Sequence, residues 1–100
     1  IIEDAITRGR AYLDAGAALV FVPGILNREV TEQLVAGLGE GTISVIGLPG
    51  ALSAAEYEAL GVARISYGPL TQRHALRAFR DLAVDLYGTG VVPTDTPALN

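Results

Sequence analysis

The chain has no cysteine, no lysine and a single histidine among its 100 residues. Without cysteine there is no disulfide framework, no thiolate metal site and no cysteine nucleophile. All seven basic residues are arginine, so a lysine Schiff base and a P-loop lysine are both excluded. His74 alone cannot build an imidazole metal cluster, and between Arg73 and Arg77 on a helix it reads as structural or interfacial. Charge is scarce as well: 18% of residues are charged, the formal net charge is -4 and the pI is near 4.7. That sign argues against nucleic acid and anionic membrane surfaces as partners. Half of the residues are hydrophobic, yet the apolar runs fall far short of the roughly 18 residues that a membrane span needs. An acidic, globular chain without a signal peptide is expected in the cytoplasm.

What is present is a repeated grammar. Three apolar runs, Ala17–Pro23, Ile43–Leu48 and Ala63–Tyr67, lead into Gly24, Pro49–Gly50 and Gly68–Pro69. Helical periodicity separates them, so the order reads α-β-α-β-α-β-α. Parallel β/α units have this order, and their ligands sit at the carboxyl ends of the strands. No acidic or basic residue stands at those three ends. The pattern is that of an active-site scaffold without its reactive groups.

The helix signals are specific. Ile2, Ala5, Ile6, Gly9, Tyr12 and Leu13 form one stripe at three- and four-residue spacing, and Gly16 is placed to end that helix in a left-handed conformation. Asn27 can cap a second helix with Val30, Leu34, Val35 and Leu38 on its apolar side. Ser53-Ala54-Ala55-Glu56 is a capping box, and Gly61 ends the helix it opens. A last helix is predicted from Leu70 or Thr71 to about Tyr87, with Ala75, Leu76, Phe79, Leu82, Ala83 and Leu86 on one side. Residues 91–100 carry Pro93 and Pro97 without periodicity and are expected to be loop or disorder. Three parallel strands leave two unsatisfied edges. Either four helices cover a small open sheet or the sheet continues into a barrel. Helical periodicity that starts at the first residue, Ile1, suits a chain cut from something longer and favours the barrel.

The stretch Ala11-Tyr12-Leu13-Asp14-Ala15-Gly16-Ala17-Ala18-Leu19-Val20-Phe21-Val22-Pro23-Gly24 resembles the helix-to-strand passage of the isocitrate lyase/phosphoenolpyruvate mutase superfamily. Leu60 to Pro69, with Ala63-Arg64-Ile65-Ser66-Tyr67 at its centre, is similar to that family's last strand, and His74 to Ala78 to the start of its final helix. Ile43 to Gly50 resembles the intervening strand. The resemblance implies that residues 1–90 are the C-terminal half of a (β/α)8 TIM-type barrel, helices 5 to 8 and strands 6 to 8. It implies an enzyme that makes or breaks C–C or P–C bonds beside a carboxylate, with Mg holding a pyruvate-like enolate. The metal-binding carboxylates and the mobile catalytic loop would lie in the missing N-terminal half-barrel. A homo-oligomer formed through the last helix is a further implication. Two departures matter. Pro23 stands where lyase members often carry glutamate, which disfavours isocitrate or methylisocitrate cleavage and resembles a mutase-like branch. Ser44 stands where many members have asparagine, which shortens its reach to a substrate.

The eleven acids, Glu3, Asp4, Asp14, Glu29, Glu32, Glu40, Glu56, Glu58, Asp81, Asp85 and Asp95, all fall on helices, their flanking loops or the tail. They read as solvated surface, and no metal site is expected among them. Ser44, Ser53 and Ser66 lack a nearby base for hydrolytic chemistry. The substrate-binding wall is assigned to Pro23, Gly24, Ser44, Gly47, Leu48, Pro49 and Ser66, while catalytic residues stay unassigned. Tight turns alone would also explain the glycines and prolines among them. The leading expectation is one pocket wall of an enzyme that acts on a small 2-oxo or enol carboxylate, with the isolated segment inactive. The alternatives are a non-catalytic half-barrel that assembles with another copy, and a different TIM barrel that binds phosphate at its last strands.

Overall fold

In the computed structural model, which describes residues 1–99, helices and strands alternate. Helix α1 spans Ile2–Asp14, β1 Val20–Phe21, α2 Arg28–Leu38, β2 Ile43–Ile46, α3 Ala54–Leu60, β3 Arg64–Ser66 and α4 Leu70–Thr89. The strands form one parallel sheet in the order β1-β2-β3. Four helices with a three-stranded parallel sheet are the α/β arrangement of a partial (β/α)8 barrel. Ile1–Gly68 make one compact unit, and the chain from Pro69 onward makes a second.

The helix punctuation acts as its chemistry dictates. The Asn27 side chain accepts the Val30 N–H at 2.9 Å. Ser53 and Glu56 cap each other reciprocally, at 2.8 Å and 3.2 Å. Gly16, Gly39 and Gly61 take positive φ where α1, α2 and α3 end, a region that costs side-chain-bearing residues more. The strands are shorter than the apolar runs that hold them. Ala17 N–H donates to Tyr12 and Gly16 N–H to Leu13, so the turn ending α1 consumes the first residue of the run. At the other end Pro23 has no N–H to continue a ladder.

The core of the first unit lies between one face of the sheet and the three helices. Val20, Ile43 and Val45 project from the sheet into a cluster with Leu26, Leu34, Leu38 and Tyr57. Ile2, Ala5 and Ile6 of α1 pack against it, as do Val30 and Val35 of α2. Two glycines let α1 and α2 approach closely. A Cβ on Gly9 would fall 2.8 Å from Leu38 Cδ2, and one on Gly37 would fall 2.6 Å from Ile6 Cδ1. Arg10 Nε then donates to the Gly37 carbonyl at 2.8 Å, tying the two helices together. The sequence leaves open whether helices cover a small open sheet or the sheet continues into a barrel. Within this unit the helices cover only one face of the sheet.

In the second unit, α4 starts at Leu70 as predicted and runs through Gly88 to Thr89, two residues beyond Tyr87. Gly90, at φ +71°, ends it. None of its residues is buried, and Phe79 and Tyr87 are mostly exposed. From Val91 to Leu99 there is a turn at Pro93–Thr96, closed by a 3.2 Å backbone hydrogen bond, and no helix or strand.

Candidate functional site

All three strands run in one direction, so their carboxyl ends open on one side of the unit. Pro23–Gly24, Gly47–Gly50 and the start of the Gly68–Pro69 turn leave the sheet there. The structure therefore brings Pro23, Gly24, Gly47, Leu48, Pro49 and Ser66 to one rim. Leu48 and Ala51 close a turn through a 2.9 Å backbone bond, with Pro49 next and Gly50 at φ +91°. Proline then glycine at positive φ is the type II pattern, so this part of the rim is rigid.

Behind the rim, Tyr57 of α3 anchors the loop after β1. Its side chain is 1% exposed, and its hydroxyl donates to the Leu26 carbonyl at 2.9 Å. A helix that follows β2 thus fixes the path of the chain from Pro23 to Asn27. Gly47 serves the rim through its missing side chain. Its N–H already donates to the Ser66 carbonyl at 2.8 Å, so that donor is committed to the sheet. A Cβ there would fall 2.7 Å from Tyr67 Cε1, so glycine is what admits the tyrosine ring. The Ser66 hydroxyl accepts a long 3.4 Å bond from Gly68 N–H.

Ser44 does not share the rim. It pairs with Phe21 and Arg64 in the sheet register, one row deeper than Ile46 and Ser66. Two residues along a strand amount to about 6.6 Å. Because Val20, Ile43 and Val45 face the helices, alternation turns Phe21, Ser44 and Arg64 to the opposite face. Ser44 is 2% exposed, and its Oγ accepts from Arg64 Nη1 at 2.9 Å. Arg64 was absent from the residues picked out by sequence. The signal was there, a lone cation inside an otherwise uncharged run, but its partner becomes visible only once the strands are in register.

Grooves run along both sheet edges, about 450 Å³ beside β3 and about 280 Å³ beside β1. These are the unsatisfied edges expected of three strands, and of the rim residues only Pro23 lines either groove. Among the described residues no group of three or more His, Cys, Asp or Glu could hold a metal ion. The residues present do not fit a magnesium site. Hydrogen bonds from Ser53, backbone first and then side chain, hold the Glu56 carboxyl below its ordinary value, helped by Arg28. Glu56 lies at a helix start and not on the rim.

Comparison with known proteins fits this geometry. The family model for phosphoenolpyruvate phosphomutase matches residues 1–87, and the chain belongs to that family, within the phosphoenolpyruvate mutase/isocitrate lyase superfamily. A candidate lyase/mutase from Burkholderia cenocepacia J2315 is 31% identical, with a TM-score of 0.79 over 98% of this chain and 37% of its own. Oxaloacetate acetylhydrolase, solved with its product oxalate, is 27% identical, with a TM-score of 0.80 over 95% of this chain and 35% of its own. 2,3-Dimethylmalate lyase is 28% identical, with a TM-score of 0.80 over 94% and 34%. The chain thus spans about a third of the length of the solved structures it matches. Curated proteins give no match. No helix among the described residues is long and apolar enough to cross a membrane.

Proposed function

We propose that this chain is the C-terminal part, strands 6 to 8, of a cytoplasmic lyase or phosphonomutase-like enzyme that acts on a small 2-oxo or enol carboxylate. Its rim forms one wall of the substrate pocket. The observation that carries this reading is the convergence of three glycine- and proline-bearing strand ends on one side of a parallel sheet, in a chain of this family. The relative solved with oxalate supports a small carboxylate as ligand. Breaking a C–C or P–C bond beside a carboxylate leaves negative charge on an enolate oxygen, which oriented donors and a divalent cation oppose. Magnesium in such sites takes carboxylate and water oxygens. The residues here offer no such cluster, so its ligands belong to the rest of the enzyme, and this segment alone is inactive.

The wall's own contribution is shape and exclusion of water. Pro23, Leu48 and Pro49 present apolar surface without a charge that would compete for a carboxylate. Pro23 in place of a glutamate points away from cleavage of isocitrate or methylisocitrate. Ser66 offers a hydroxyl to the rim, while the Ser44 hydroxyl, one row beneath, is taken up by Arg64. The stripe of α4 supports a homo-oligomer in which that helix covers a second copy, because none of its residues is buried.

Calorimetry of the full-length protein with oxalate and magnesium tests the reading. Saturable heat at or below millimolar oxalate, lost when magnesium is chelated, is expected. Silence at millimolar ligand would refute it.

A further inference from the structure

Arg64 is the one charged side chain on the helix-free face of the sheet, among Phe21, Ser44, Ile46 and Ser66. Its guanidinium carries five N–H donors, and one of them meets the neutral Ser44 hydroxyl at 2.9 Å. Among the described residues the ion pairs are Arg8–Asp4, Arg28–Glu56 and Arg80–Asp81, and none uses Arg64. In a (β/α)8 barrel the face away from the helices is the interior, which is filled by layers of side chains rather than water. A guanidinium cannot give up its proton, and a buried charge without a counter-charge is too costly to keep.

We propose that Arg64 is one half of an ion pair inside the closed barrel, and that the strands completing the barrel bring a carboxylate into its layer. The partner is therefore an Asp or Glu on the inner face of another strand, level with Phe21, Ser44 and Arg64. Charge complementarity selects it, and chain length leaves room for it, since the solved relatives are about three times as long as this chain. Substrate is the competing source of negative charge. The geometry disfavours it: Arg64 is the first residue of β3, and its guanidinium turns sideways to Ser44, one row below the rim. Ser44 then has a reason to be a short hydroxyl, since it holds the fork of Arg64 in the plane of the layer. The pairing rests on the barrel fold and not on the proposed chemistry.

A crystal structure of the full-length protein without ligand decides it directly. A protein carboxylate oxygen within about 4 Å of the Arg64 guanidinium is expected; only water, or no acid in the layer, overturns the pairing. In solution, Arg64→Gln in the full-length protein should lower the Tm by about 5–10 °C without ligand, because it strands a buried carboxylate. Arg64→Lys, which keeps the charge and loses the fork, should lower it less. An unchanged Tm for Arg64→Gln would overturn the proposal. So would a tenfold or greater loss of oxalate affinity in Arg64→Lys at unchanged Tm, which would assign the guanidinium to substrate. Absence of oxalate binding to the native protein would count against the proposed function alone, since the structure and the Tm test the ion pair without it.

Discussion

Removing the Tyr57 hydroxyl tests how the loop after β1 is held. The ring is 1% exposed in the core, and its O–H donates at 2.9 Å to the carbonyl of Leu26, itself 7% exposed. Tyr57→Phe keeps the ring and its packing. It deletes the hydrogen bond, worth about 1 kcal/mol net, and leaves a buried carbonyl unpaired, which costs about 1–3 kcal/mol. The stranded acceptor dominates, so a loss of about 2 kcal/mol is expected. Tyr57→Ala also empties the space of the ring and should cost about 3–5 kcal/mol. Tyr12→Phe is the control: Tyr12 is 56% exposed, and its change should stay within about 0.5 kcal/mol. Urea unfolding of the variants measures all three. If Tyr57→Phe matches Tyr12→Phe within error, the hydroxyl does not hold the loop and the reasoning fails.

Gly37→Val should destabilise by about 1–3 kcal/mol through overpacking against Ile6. Ile6→Ala in the same chain should recover part of that loss, and additive effects in the double variant would show that the two side chains do not meet. Asn27→Ala removes the acceptor for Val30 N–H and should cost about 1 kcal/mol in thermal unfolding. For Glu56 the sign follows from its depressed folded-state pKa. Its stabilising contribution is present above the unfolded value and disappears as pH falls through the folded one. The native protein should therefore be more stable than Glu56→Gln at neutral pH, and the gap should close on acidification. A gap independent of pH would contradict the capping role.

Much of the local structure was legible before any coordinates. Asn27, Ser53 with Glu56, Gly16 and Gly61 each satisfy or release backbone groups within a few residues, so their roles can be read from neighbours in sequence. The rim was legible for a related reason: glycine and proline stop a parallel strand, and a parallel sheet sends every stop to the same side. The depth of Ser44 was not legible. It depends on the register between strands some twenty residues apart, which sets Ser44 opposite Phe21 and Arg64 and one row behind Ser66. The partner of the Tyr57 hydroxyl was hidden in the same way, since its hydrogen bond to Leu26 spans thirty-one residues.

By itself, then, the order of residues determined the alternation of elements, the punctuation of the helices and the absence of reactive groups from the strand ends. Those are short-range properties, fixed by backbone dihedrals, capping and composition. Tertiary structure alone decided that the helices of the first unit cover one face of the sheet, that Arg64 holds Ser44 on the other, and that α3 pins the loop behind the rim. Each of these arises from contacts between strands or helices distant in the chain, whose partners are chosen by packing and register rather than by neighbouring residues.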